Sequence, residues 1–310
     1  MPKYRYVIVG GTTRAATTSL FIYFADHPEV CASNIKETCF FLDQDYPLPA
    51  KYRFEDGLDK YEQYFNHCRK QPLRLDVTPD YLYSPGTPQK IKQCLPDVKL
   101  IFILREPIDR LISWYRFAKQ TARLPEQFSF EEYVYIQIKN ENCGQSKEQH
   151  MRALEQGRYS RYLKNYLDLF ERHNICILQY DPLRYDTAAF LTKICKFINI
   201  DPVFYQNYHF QAFNRSQPMR NSTLHTAYVT CIRALQMRVH NKQKIRFFLQ
   251  YLRRRLEPLY LRLNRRHDEK LIISDQIRNL LEDYYNDEPA ALASLLGLKN
   301  FSWETSQEIP

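Results

Sequence analysis

The chain has 310 residues, of which 44 are Lys or Arg and 35 Asp or Glu, so it carries a net charge of +9. Only 7 residues are Gly, too few for long flexible joints, and no Pro/Gly/Ser-rich linker, repeat or low-complexity tract divides it. No apolar run approaches the roughly 18 residues that a membrane-spanning helix needs. These features argue against an integral membrane helix and agree with one globular domain over residues 1–310, a size common among α/β proteins.

In chain order, an apolar strand is expected at Tyr4 to Val9. It runs into Gly10-Gly11-Thr12-Thr13-Arg14-Ala15-Ala16-Thr17-Thr18-Ser19-Leu20, and a helix-like stretch follows from Phe21 to Ala25. Strand, small-residue loop and helix form an oxyanion cradle, because loop N–H groups and the helix N-terminus converge where peptide dipoles favour negative charge. Arg14 supplies a fixed cation, Thr17, Thr18 and Ser19 supply hydroxyl donors, and Thr13, Ala15 and Ala16 offer backbone. A nucleotide P-loop would need Gly-Lys-Ser/Thr four residues after a first Gly. Counted from Gly11, those places hold Ala16 and Thr17, so the lysine that reaches transferring phosphates is missing.

Further strands are expected at Leu73–Asp76, Lys99–Leu104 and Ile175–Gln179, in a mostly parallel sheet of about five strands flanked by helices. Lys99–Leu104 runs into Arg105-Glu106-Pro107-Ile108-Asp109-Arg110-Leu111-Ile112-Ser113-Trp114-Tyr115. Pro107 suits the first turn of a helix, where its missing N–H costs nothing. Arg105 at the strand end and Ser113 two turns on can meet one anion. Two anion sites on one sheet edge call for a ligand with phosphates at both ends.

This pair of motifs resembles the sulfotransferases that use 3′-phosphoadenosine 5′-phosphosulfate (PAPS), most closely the heparan-sulfate enzymes and bacterial small-molecule sulfotransferases. The first loop is similar to the family's G-x-x-[KR]-x-G-T-T-x-L, which binds the 5′-phosphosulfate, with Ala16 where the family usually has Gly. The second matches R-x-P-x-x-R-x-x-S-x-Y, which binds the 3′-phosphate, at Arg105, Pro107, Arg110, Ser113 and Tyr115. Shorter likenesses follow in order at His27-Pro28-Glu29-Val30, Lys36-Glu37-Thr38-Cys39-Phe40-Phe41, Asp76-Val77-Thr78-Pro79-Asp80-Tyr81-Leu82, Gly157-Arg158-Tyr159, Asn214 to Arg220 and Leu281 to Trp303.

The resemblance implies a P-loop-like fold and transfer of a sulfuryl group from PAPS, leaving adenosine 3′,5′-bisphosphate (PAP), without a metal. It implies Glu37 as the base that deprotonates the acceptor and Arg14 as the group stabilising the leaving phosphate. Asp76 competes as base or acceptor-orienting group. Lys36 takes part of the role of a second lysine, since Val77 stands where the heparan-sulfate enzymes have Lys. Tyr159 and Arg220 are expected near the nucleotide. His27, at a helix end, reads as a capping or packing residue.

The acceptor is expected to be a small organic molecule bearing a hydroxyl or amine, with a bacterial secondary metabolite or toxin as one candidate and a carbohydrate or lipid as the alternative. Aromatic segments Phe40 to Phe65 and Phe117 to Tyr135 are expected to shape its pocket. A kinase is the less favoured reading, for want of the loop lysine and an acidic metal site. Eight Cys residues, without a C-x-x-C pair or zinc spacing, read as reduced thiols. With Met1-Pro2-Lys3-Tyr4-Arg5 leading into a strand rather than a signal peptide, a cytoplasmic location is expected.

The charge is localised. Arg233 to Arg266 carries eleven Lys or Arg against one acid, Glu257, more than the whole excess of +9. Within a basic helical segment at 224–273, apolar residues recur at helical spacing (Ile245, Phe248, Leu249, Leu252, Leu256), as on solvated amphipathic helices. Recruitment of an anionic acceptor or peripheral contact with an anionic membrane surface are the functional alternatives. Nucleic acid is not expected as a partner, because no reader motif accompanies the charge.

Overall fold

The computed structural model describes residues 4–125, 127–143, 148–211 and 271–303. The sequence-predicted site residue Arg220, the basic stretch 233–266 and most of the 224–273 segment lie outside the described residues. The chain divides into two compact units. One holds the described residues up to Arg110, from Glu155 to 211 and from Leu281 on; the other holds those of Leu111–Leu154 and 271–280.

The first unit is built on five strands: β1 (Arg5–Gly11), β2 (Val30–Ala32), β3 (Leu73–Val77), β4 (Lys99–Leu104) and β5 (Ile175–Gln179). They pair in the order β2-β3-β1-β4-β5, and every pairing is parallel. Such a sheet needs cover on both faces, which is why its inner strands are apolar runs rather than alternating ones. Side chains alternate between two cores. Tyr6 and Ile8 of β1 join Leu100, Phe102 and Leu104 of β4 in one. Val7 and Val9 join Leu75, Val77, Ile101 and Ile103 in the other. Each fully buried aliphatic side chain contributes roughly 1.5–3 kcal/mol.

Helices cover the two faces. On the second core, α1 (Thr17–Ala25) contributes Leu20 and Phe24 and α8 (Thr187–Ile198) contributes Leu191 and Ile194. On the first, α6 (Tyr159–Leu167) contributes Leu163 and Tyr166 and α10 (Glu288–Leu296) contributes Leu292 and Leu296. The short helices α2 (Leu58–Glu62), α3 (Thr87–Cys94) and α7 (Asp181–Tyr185) fill connections. Helices α4 (Pro107–Gln120) and α9 (Asp275–Tyr285) each run from one unit into the other. In the second unit α5 (Phe130–Cys143) is joined to the segment after it by Gln137, whose side-chain oxygen accepts from the Leu154 N–H at 2.8 Å.

β1 lies between β3 and β4, and strand order runs away from it in opposite directions. That is the switch point at which open α/β sheets leave a crevice beyond the strand carboxyl ends. Gly11, at that end of β1, sits against Leu82; a Cβ there would come within 2.9 Å of the Leu82 Cβ, so only Gly fits.

Two expectations from the sequence are corrected here. Phe40, Phe41, Tyr61, Tyr64 and Phe65 are buried in the first core rather than lining a pocket. Their rings are wedged edge-on or tilted, with Phe41 and Tyr61 centroids 4.9 Å apart. In the second unit Phe130 and Tyr133 are likewise buried, packed on Tyr115, while Tyr135 is exposed. The cysteines are not all thiols: Cys31 and Cys68 form a disulfide, and Cys39, Cys94, Cys176 and Cys195 are free. A spacing of 37 residues carries no sequence signature of pairing, which the fold alone supplies by bringing β2 beside the segment before β3. This pair departs from the expectation that the cysteines are reduced thiols. Among the described residues, no helix is long and apolar enough to cross a membrane.

Candidate active site

The β1–α1 loop carries the first anion cradle. Arg14 and Ala16 both hold left-handed backbone, with φ of 67° and 56°. The left-handed conformation at the N-cap, Ala16, turns the chain from strand into helix within a few residues. This is the physical reason a Gly is favoured at that place, since a Cβ in left-handed backbone costs about 1–2 kcal/mol. The Ala16 carbonyl accepts from the Leu20 N–H at 3.1 Å, and the first-turn N–H groups point out of the helix end. Thr13, Ala15, Thr17 and Ser19 are buried, with Arg14, Ala16 and Thr18 half-buried.

Arg105 stands at the end of β4, where Leu104 is the last strand residue. Its Nη1 donates to the Arg14 carbonyl at 3.1 Å, and its guanidinium lies 4.9 Å from the Tyr180 ring centroid. Its Nε is buried without a hydrogen-bond partner among the described residues. Burial, with the Arg105 charge adding to it, lowers the Arg14 pKa to about 10. Two cations held this close, one with a buried orphan donor, fit a polyanionic ligand.

Arg110 was not expected as a site residue, although the R-x-P-x-x-R spacing marks it. It is fully buried; its Nη1 donates to Thr13 Oγ1 at 3.2 Å, and its guanidinium carbon lies 5.9 and 5.7 Å from the Tyr83 and Tyr159 ring centroids. Tyr159 is buried, and its hydroxyl donates to the Arg105 carbonyl at 2.6 Å. Its place is therefore beneath Arg105, not on an exposed stacking platform. Arg158 is taken up by the Asp287 carboxylate, at 2.8 Å, and the Tyr284 carbonyl. Ser113 is half-buried in α4, within the second unit.

Glu37 and Lys36 follow β2 in a segment tied down on both sides. The Ser33 N–H donates to the Leu75 carbonyl at 2.9 Å, and the Glu37 N–H to the Val77 carbonyl at 3.1 Å. Glu37 holds left-handed backbone, φ 63°, a strained state that persists where surrounding structure imposes it and that clusters at functional sites. Its side chain is 41% exposed, and its carboxylate is paired with the Lys36 ammonium. Lys36 and Glu37 are thus together, at the carboxyl edge of β3, with the acid open to solvent.

Asp76, expected as a base or acceptor-orienting group, is not open to solvent. It is fully buried, accepting hydrogen bonds from Thr38, Thr78, Tyr81 and Tyr61 hydroxyls at 2.7, 2.8, 2.9 and 3.3 Å. Burial pushes its carboxyl pKa up, against the pull of the four hydroxyls. Because Thr38 adjoins Glu37, this cluster anchors the segment that carries Glu37. His27 packs as expected, buried, with Nε2 at 2.9 Å from the Asp201 carbonyl and Nδ1 accepting from the Glu29 N–H.

A P-loop-like cradle whose cation is Arg14, with Thr17 where a nucleotide P-loop has lysine, paired with an Arg-x-Pro strand exit on a five-stranded parallel sheet, defines a sulfotransferase-type fold. The chain belongs to the sulfotransferase domain family, whose pattern it matches over residues 13–246. Among relatives, it is 24% identical over 210 residues to the human bifunctional heparan sulfate N-deacetylase/N-sulfotransferase 3, covering 65% of this chain and 23% of that protein. It is 29% identical over 157 residues to the membrane-associated sulfotransferase kil1 of Dictyostelium discoideum, covering 48% and 31%. The matched region thus spans between a fifth and a third of these two relatives. A sulfotransferase from Alicyclobacillus acidocaldarius has the same fold, with a TM-score of 0.67 at 19% identity, over 98% of this chain and 100% of that one.

Proposed function

We propose that this chain transfers a sulfuryl group from PAPS to a hydroxyl or amine of an organic acceptor. The convergence of Arg105 on the Arg14 carbonyl carries the reading, because it joins the two phosphate-binding motifs into one cationic edge. Thr13 to Ser19 and the α1 N-terminus hold the 5′-phosphosulfate, while Arg105 and Ser113 take the 3′-phosphate. Tyr159 positions Arg105, and Arg220 is a further cofactor-binding residue.

In the transfer, the acceptor oxygen or nitrogen forms a bond to sulfur as the bond from sulfur to the bridging oxygen breaks. The electron pair of the broken bond goes to the 5′-phosphate, where Arg14 and the loop N–H groups stabilise it. Glu37 takes the acceptor proton, and Lys36 holds that carboxylate in place and offers its charge to the transferring group. Asp76 acts through Thr38 as a positioning residue. Transfer of a group less charged than phosphoryl leaves protein cations and donors able to do what a metal does in kinases.

The acceptor is a small organic molecule, for which secondary metabolism is one source. A second reading, a carbohydrate acceptor, is favoured by the relatives whose names carry heparan sulfate N-sulfotransferase. The basic stretch 233–266 recruits an anionic acceptor or membrane surface in either case. Incubation with labelled PAPS and two panels, small phenols and alcohols against glucosamine-containing oligosaccharides, separates them by the mass of the product. Transfer to neither panel, with no release of PAP, would overturn the reading.

A further inference from the structure

Away from the candidate active site, Cys31, His67 and Cys68 bring three metal-ligating atoms within 4.8 Å of one another. Cys31 lies on β2, an edge strand of the sheet, and is buried; His67 is exposed and Cys68 half-buried, so the cluster opens to solvent on one side. The structure holds the two sulfurs as a disulfide, with the Cα atoms 5.8 Å apart. The imidazole belongs to neither core, and its Nε2 lies 3.6 Å from the Cys31 Sγ.

We propose that reduction of this disulfide converts the cluster into a zinc(II) site of two thiolates and one imidazole, with a water in the fourth position. Zinc binds thiolate sulfur at about 2.3 Å and imidazole nitrogen at about 2.0–2.1 Å, usually with tetrahedral angles. Those lengths require a sulfur-to-nitrogen separation of about 3.6 Å, which the Cys31–His67 pair already has. They require about 3.8 Å between the sulfurs, so the bonded disulfide cannot coordinate and the two states exclude each other.

The balance is simple. A dithiol gives two electrons and two protons to the disulfide, becoming a disulfide itself and leaving two thiols on the protein. Zinc then displaces the two thiol protons as the thiolates coordinate.

The experiment titrates the full chain with cobalt(II), a coloured stand-in for zinc, before and after reduction with a dithiol that is then removed without air. The reduced protein should bind one equivalent with thiolate-to-cobalt absorption, reversed by one equivalent of zinc, and the oxidised protein should show none of it. His67→Gln, an exposed change that leaves the disulfide intact, should weaken cobalt binding about 10-fold or more. Cys31→Ser should abolish the band, and Cys68→Ser covers the case in which that variant does not fold. An unchanged band in His67→Gln and in whichever Cys variant folds would assign the metal to other thiols and overturn the proposal. So would the absence of the band from the reduced, folded protein.

Discussion

The Arg105 guanidinium donates to the Arg14 carbonyl at 3.1 Å, across 91 residues of sequence. The cation of the second motif therefore shapes the backbone of the first, and each site is built partly by the other. Removing Arg105 should act twice, by deleting a phosphate ligand and by releasing the loop.

Arg105→Ala is accordingly expected to weaken PAP binding by about 10-fold or more, since hydrogen bonds to charged groups are worth about 1.5–3 kcal/mol. Ser113→Ala should cost less, about 3-fold to 10-fold, as a single hydroxyl contact. Titration calorimetry with PAP checks the order; equal affinities in both variants and the parent would move the 3′-phosphate elsewhere.

Glu37→Gln keeps shape and polarity but removes the base, so kcat should fall by about 100-fold or more while PAP binding stays near that of the parent. An acceptor with a more acidic hydroxyl should partly rescue it. Arg14→Ala should lose kcat and PAP affinity together, and the same acceptor should not rescue it. Full activity in Glu37→Gln would remove that residue from the mechanism.

Arg14 gives a test in protons. Burial and the neighbouring Arg105 lower its pKa to about 10, and a bound polyanion favours the charged form and raises it again. Binding PAP at pH 10 should therefore take up protons, a fraction of one per site, and binding at pH 7 should take up none through this group. Calorimetry in buffers of different ionisation enthalpy reads the uptake directly.

Asp76 has a raised carboxyl pKa, so folding favours its protonated form. Its contribution to stability is full below the ordinary Asp range, about pH 4, and is lost as pH rises through the raised value. Asp76→Asn should remove this loss, so that the variant gains on the parent in urea midpoint from pH 4 upward. Parallel midpoints across that range would show that the carboxylate is not the group paying for burial.

Ala16 holds left-handed backbone at the N-cap of α1. Ala16→Gly should relieve about 1–2 kcal/mol of strain and give back part of it to the entropy of the unfolded chain, for a net gain of about 0.5–1 kcal/mol. Urea unfolding measures it; a loss of stability would contradict the strain.

Much of this was legible in the sequence because it rests on local signals. The apolar strands at Lys99–Leu104 and Ile175–Gln179, the Gly-Gly-Thr-Thr-Arg loop and the Arg-x-Pro exit each announce themselves within a dozen residues. What depends on distant partners was hidden. Asp76 reads as a free carboxylate until Thr38, Tyr61 and Tyr81 are folded around it. The aromatic run Phe40 to Phe65 reads equally as pocket or core, and only packing decides. The Cys31–Cys68 pair and the burial of Arg110 against Thr13 have no periodicity to betray them.

The central claim is that this edge of the sheet binds a nucleotide by phosphates at two ends, without a metal. Titration calorimetry with PAP in the presence of EDTA tests it most directly, with adenosine 5′-phosphate and magnesium-ATP as comparisons. One equivalent of PAP should bind, the ligand lacking the 3′-phosphate should bind at least about 10-fold more weakly, and magnesium-ATP should not compete. Tight magnesium-ATP binding with no binding of PAP would contradict the account.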